Sequence, residues 1–205
     1  MNHWLLHSLV TEPSYEDRPL RAKPLISSTV FAVLVFIITE IMLFASLISA
    51  YMIIRSGLEE WPPWGQPRLP VWTTAFNSVV LIGSAFLLRQ ASIFLKTDRT
   101  QAFRFSGYGL GAGVFFLLFQ GYEWAELLSY GLTLSSSNYG GMFYLIIGMH
   151  GLHVLGAVIA LTFTWFRLAP EARKPITDEG FQGMLVFWYF VVGIWPILYA
   201  LVYLA

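Results

Sequence analysis

Apolar residues along this chain gather into five long runs separated by short polar breaks, with no alternation of strand type. The runs are Thr29–Ile54, Val71–Leu95, Arg104–Leu128, Gly141–Leu168 and Phe181–Leu204. Each is long enough to cross a hydrocarbon core of about 30 Å as a helix rising about 1.5 Å per residue. The breaks carry turn chemistry: Trp61-Pro62-Pro63-Trp64-Gly65-Gln66-Pro67, Lys96-Thr97-Asp98-Arg99, Ser135 to Gly140, and Pro170 to Pro175. The pattern predicts an all-α polytopic membrane protein: five transmembrane helices in one bundle over residues 29–205, after a cytoplasmic N-terminal segment of residues 1–28.

Composition agrees. Hydrophobic residues make up 57% of the 205 positions and charged residues only 12%, about half the share usual in a soluble domain. Met1–Val10 lacks a basic stretch, and Glu12, Pro13, Glu16, Asp17 and Arg18 follow where a cleavage site would lie, so no signal peptide is expected. The net charge of zero conceals an asymmetry: of the 12 Lys and Arg residues, only Arg55 and Arg68 fall on the side opposite the N-terminus. The positive-inside rule makes the N-terminal side cytoplasmic and predicts N-in, C-out. Nucleic-acid binding through a basic surface has no support. The absence of cysteine excludes disulfides, zinc ribbons, iron–sulfur clusters and thiolate copper centres in the chain itself.

Polar groups inside the runs are few: Glu40, Asn77, Gln120, Glu123, Glu126, His150 and His153. Glu40 lies ~17 Å from the inner end of its run, and His150 and His153 lie ~14 and ~18 Å from the outer end of theirs. Those depths bring Glu40 within one helical turn of the histidines, so a buried polar cluster of Glu40, Glu123, His150 and His153 is the candidate site. An acid at that depth costs several kcal/mol as an unpaired anion, about 3 or more, and Glu40 is expected to be neutral and packed against the fourth helix. Two roles stay open for it: a proton-exchanging or tuning group, and a hydrogen-bonding pin between helices. His150 and His153, at i and i+3, share a helix face in a spacing that suits a metal only with added ligands; no metal site is expected, and bonds to carboxylates or carbonyls are the stronger reading.

Gly107-Tyr108-Gly109-Leu110-Gly111-Ala112-Gly113 presents two pairs of small residues on nearly opposite sides of the third helix, which marks it as central in the bundle. Gly156 and Ala160 suggest a similar contact strip on the fourth, and Pro196 is expected to kink the fifth. Trp61, Trp64, Trp72, Tyr130, Tyr139, Trp188 and Tyr203 are read mostly as interfacial aromatics. Arg89, Lys96 and Arg104 flank two successive helices near the inner interface and are expected to hold a phospholipid headgroup. There is no nucleophile elbow, phosphate-binding loop or His-Glu-x-x-His, so catalysis by the chain alone has little support.

Three segments resemble subunit III of the haem–copper oxidases: Thr39-Glu40-Ile41-Met42-Leu43-Phe44-Ala45, Phe119-Gln120-Gly121-Tyr122-Glu123-Trp124 and Gly148-Met149-His150-Gly151-Leu152-His153-Val154. The resemblance runs from about Ser28 to the C-terminus and fits the five-helix bacterial short form. One segment departs from it: the family's Trp-His-Phe-Val-Asp pattern is Trp188-Tyr189-Phe190-Val191-Val192 here. The resemblance implies a non-redox subunit of a proton-pumping terminal oxidase in the bacterial inner (plasma) membrane. It also implies docking on the catalytic subunit I, bound phospholipid and sustained proton uptake, with haem and copper in partner subunits and no cofactor in this chain. The cytochrome c oxidase type is preferred. A quinol oxidase subunit, a nitric oxide reductase-associated relative and, in another class, a small proton-coupled carrier are the alternatives; the carrier is disfavoured by the lack of an internal repeat.

Overall fold

The computed structural model describes residues 26–204. Arg18, Arg21, Lys23, His3, His7 and most of the N-terminal segment therefore lie outside the described residues. The chain forms helices α1 (Ser28–Ser56), α2 (Val71–Phe94), α3 (Arg99–Ser129), α4 (Asn138–Leu168) and α5 (Asp178–Tyr199), the last continuing into a π-helical turn, Ala200–Leu204. All five are long and apolar enough to cross a membrane.

The helix starts are set by polar caps that lie beyond the apolar runs. Asp98 accepts from Gln101 N at 3.0 Å, Ser137 from Gly140 N at 3.1 Å, and Thr177 from Gly180 N at 3.1 Å. Each cap satisfies an amide that the first turn would leave without a partner. Consequently α3, α4 and α5 begin five, three and three residues before the runs read from hydropathy. Asp178 and Glu179 in the first turn of α5 also suit the positive end of its dipole.

Helix ends follow the same accounting. α3 closes in a Schellman motif: Gly131, at φ +87°, donates to Leu128 O at 3.0 Å, and Leu132 N donates to Leu127 O at 3.0 Å. The last carbonyls of α4 are taken by a side chain, with Arg99 Nε donating to Leu168 O at 3.1 Å and Nη2 to Arg167 O at 3.0 Å. Pro196 supplies no amide to the ladder of α5, and the helix passes into the π turn four residues later.

α2 packs along α3, and α5 is the hub, touching α1, α2 and α4. Close approach rests on glycine. A Cβ at Gly109 would lie 2.8 Å from Leu88 Cγ, one at Gly113 would run into the Trp188 ring, and one at Gly107 would lie 2.9 Å from Trp165 Nε1. α3 is thus approached by α2, α5 and α4 at three glycines. Among the described residues Gly111 and Gly156, by contrast, meet nothing within 4 Å, so the contact strip expected at Gly156 does not form there.

The interior is stitched by tryptophan. Trp188 Nε1 donates to Ser84 Oγ at 3.0 Å and Trp195 Nε1 to Ser78 Oγ at 2.7 Å, and each serine hydroxyl passes its own proton to a carbonyl of α2. Trp188 is fully buried, and Tyr139 and Tyr203 nearly so, which corrects their reading as interfacial aromatics. Trp64, Trp72 and Tyr130 do lie exposed. A buried tryptophan needs a partner for its N–H, and the serines of α2 supply it.

Candidate functional site

α1 turns one stripe inward. Ile37, Phe44 and Tyr51 recur every seven residues and are its buried positions, with Glu40 between the first two. That register aims the carboxylate at α4. Glu40 Oε2 lies 2.6 Å from His153 Nε2, and the two side chains are only 13% and 14% exposed.

The other ring nitrogen decides what this contact is. His153 Nδ1 lies 2.8 Å from Met149 O. A carbonyl only accepts, so Nδ1 carries a hydrogen. The remaining contact then holds one proton, carried either by Nε2 as imidazolium or by the carboxyl as acid. With neither, a nitrogen lone pair would face an anionic oxygen. Glu40 and His153 therefore form a one-proton unit whose net charge is zero in both arrangements, the condition for placing two ionisable groups inside a membrane. Phe44 packs its ring 5.3 Å from that of His153 and shields the pair on the bundle side.

His150, one turn earlier, takes no part in this contact. It is 1% exposed, stacks on Trp195 at 4.9 Å with 23° between planes, and finds no hydrogen-bond partner for either ring nitrogen among the described residues. Glu123 belongs to a second polar group. Its Oε2 lies 2.9 Å from Thr74 Oγ1 and accepts from Gln120 Nε2 at 3.2 Å, while Gln120 Nε2 also reaches Tyr203 OH at 3.3 Å. The four residues named from the sequence thus divide into a Glu40–His153 pair, an isolated His150, and a Glu123 network between α2, α3 and the last turn. Thr74, Ser78, Ser84 and Tyr203 were not named as polar participants. Their signal was the stripe Thr74, Asn77, Ser78, Leu81, Ser84, Leu88, Ala91, a helical repeat of small and polar residues that becomes the buried face of α2.

The three cations named for a headgroup line different surfaces. Arg89 edges a groove of about 420 Å³ between α2 and α5, shared with Phe86, Tyr189 and Gly193. Lys96 lines a separate cleft with Asp178 and Glu179. Arg104 is exposed and lines neither. Among the described residues no three His, Cys, Asp or Glu side chains gather as a metal ion would require.

Comparison with known proteins places this architecture. The family profile described as Cytochrome c oxidase subunit III matches residues 3–205. The cytochrome c oxidase subunit 3 of Synechocystis sp. is 32% identical over 176 residues, covering 85% of this chain and 74% of that protein. That of Thermostichus vulcanus is 32% identical, covering 85% and 86%. A probable cytochrome c oxidase subunit 3 of Mycobacterium leprae is 34% identical, covering 82% and 84%. With five helices among the described residues long and apolar enough to cross a membrane and a profile match over nearly its full length, the chain belongs to the cytochrome c oxidase subunit III family.

Proposed function

We propose that this chain is the non-redox third subunit of a proton-pumping haem–copper terminal oxidase of the cytochrome c type, seated N-in, C-out in a bacterial plasma membrane. It docks on the catalytic subunit I, assists assembly, holds phospholipid and sustains proton uptake; haem and copper belong to its partners. The observation that carries the reading is the Glu40–His153 unit at 2.6 Å inside a chain of this family. A proton held between two side chains at the margin of a bundle can be exchanged without creating a net buried charge, which suits a subunit that supports proton entry into a neighbour. The absence of cysteine supports the non-redox role, because thiolate metal centres have no ligands here.

The test is co-purification. A tagged chain extracted in mild detergent is expected to bring down an assembly with a haem spectrum, oxygen consumption and proton pumping. Glu40→Gln is then expected to leave the assembly intact while shortening its active lifetime or lowering pumping. Recovery of the chain without haem protein would overturn membership of the oxidase. Unchanged pumping and lifetime in Glu40→Gln would confine Glu40 to a packing role.

A further inference from the structure

Glu123 is 2% exposed and lies ~9 Å along α3 from its last residue, Ser129, just inside the face of the bundle that carries the α1–α2 and α3–α4 loops. The hydrogens around its carboxyl can be counted. Thr74 Oγ1 has one hydrogen and two oxygens within reach, Pro70 O at 2.8 Å and Glu123 Oε2 at 2.9 Å. A carbonyl only accepts, so with Thr74 donating to Pro70 the hydrogen in the second contact belongs to the carboxyl. In the reverse assignment two lone pairs would face each other at 2.8 Å. The other carboxyl oxygen points the same way: Oε1 is buried without a partner among the described residues, while Gln120 Nε2 donates to Oε2. An anion carries charge on both oxygens and needs donors at both, whereas the carbonyl oxygen of a neutral acid loses less by going unpaired. No cation offsets a charge here. Among the described residues Glu123 has no ion pair, and its titratable neighbours are Glu126 on its own helix and Tyr199 and Tyr203 from α5 and its π turn.

We propose that Glu123 is a second proton-binding site of the chain, a neutral carboxylic acid that exchanges its proton with water at the loop face through the Thr73 hydroxyl. Thr74, fully buried, accepts from the acid and fixes it in place. Thr73 is exposed, its hydroxyl lies beside the same carboxyl, and it donates to Pro70 O at 3.1 Å. Release moves the carboxyl proton to Thr73 Oγ1 as that hydroxyl's own proton passes to water, so one proton leaves and one carboxylate remains. Thr74 then turns its hydrogen from Pro70 to Oε2 and joins Gln120 in donating to the anion. Uptake is the reverse. The site differs in kind from the Glu40–His153 contact. That pair stays neutral as its proton shifts, whereas Glu123 becomes an anion when it gives its proton up.

Infrared spectroscopy of the tagged chain, extracted with its partners and reconstituted in phosphatidylcholine nanodiscs, tests this. The spectrum at neutral pH is expected to contain a neutral-carboxyl C=O band that shifts down in D2O, is lost in Glu123→Gln and survives in Glu40→Gln. Thr73→Val is expected to keep the band and to slow its D2O shift about tenfold, the effect on a rate of losing about one hydrogen bond. Thr74→Val, which removes the acceptor of the acid proton, is expected to move the band without slowing its exchange to the same degree. Thr73 is exposed, so Thr73→Val carries the test if Glu123→Gln fails to assemble. A carboxylate band lost in Glu123→Gln in place of the neutral one would overturn the proposal, as would a D2O shift in Thr73→Val as fast as in the unaltered chain. The band is read whether or not the partners carry haem, so its absence and the failure of the oxidase reading are separate outcomes.

Discussion

Glu40 and His153 meet at 2.6 Å across the α1–α4 seam, and the Met149 carbonyl 2.8 Å from Nδ1 ensures that one proton lies between them. Glu40→Gln preserves the contact, because the amide donates to Nε2 in place of the acid. Glu40→Ala leaves Nε2 without a partner at a partly buried site, a loss of about 1 kcal/mol or more. The expected outcome is normal subunit retention in Glu40→Gln and reduced retention in Glu40→Ala, measured as the ratio of this chain to its partners after mild extraction. Equal retention in both variants would mean that the contact contributes nothing to assembly.

The tryptophan ladder from α5 to α2 predicts a loss of stability at both of its ends. Ser84→Ala removes the one partner found for the Trp188 indole N–H among the described residues, in a fully buried position, and is expected to cost about 1–3 kcal/mol. Trp195→Phe is milder at the hydrogen bond, because Ser78 keeps its own bond to Thr74 O at 2.7 Å, but it sacrifices the stack on His150. The thermal inactivation temperature of the assembly is expected to fall for Ser84→Ala and Ser78→Ala alike, since each leaves a fully buried indole N–H without the serine hydroxyl that accepts from it.

Apolar runs revealed the five helices because a membrane span needs length and hydropathy, both of which are local properties. The helix starts were displaced since Asp98, Ser137 and Thr177 sit in polar breaks, where hydropathy is silent and capping chemistry speaks. Depth arithmetic brought Glu40 to the level of His150 and His153, but depth says nothing of azimuth. Only the order of helices around α5 separates His150, facing Trp195, from His153, facing Glu40, and sends Glu123 to Thr74 instead. The burial of Trp188 and Tyr203 was hidden for the same reason: an aromatic near a helix end reads as interfacial until a serine or glutamine on another helix is seen beside it.

The glycines of α3 predict a graded series. Gly113→Leu drives a side chain into Trp188 and is expected to abolish assembly, whereas Gly109→Ala, facing Leu88 and the Ser84 carbonyl, is expected to cost about 1–3 kcal/mol through overpacking. Gly111 faces outward with open space around it, so Gly111→Leu is neutral within the chain. Loss of assembly in Gly111→Leu, read by co-purification, would therefore identify this face of α3 as one that a partner helix covers.

Arg89 and Lys96 are expected to differ in their hold on phospholipid. Arg89 edges a groove with Phe86 and Gly193, and Tyr189 occupies the same wall, so a phosphate there meets a guanidinium and a phenol while acyl chains follow the apolar lining. Lys96 shares its cleft with Asp178 and Glu179, whose carboxylates oppose the field of the ammonium and repel a phosphate. Native mass spectrometry of the purified assembly is the measurement: Arg89→Gln is expected to lose retained phospholipid from this subunit, and Lys96→Gln to keep it. Because both substitutions remove one positive charge at exposed positions, a general loss of surface potential would lower retention in both. Loss in Lys96→Gln alone would instead place the headgroup in the cleft lined by Lys96, Asp178 and Glu179.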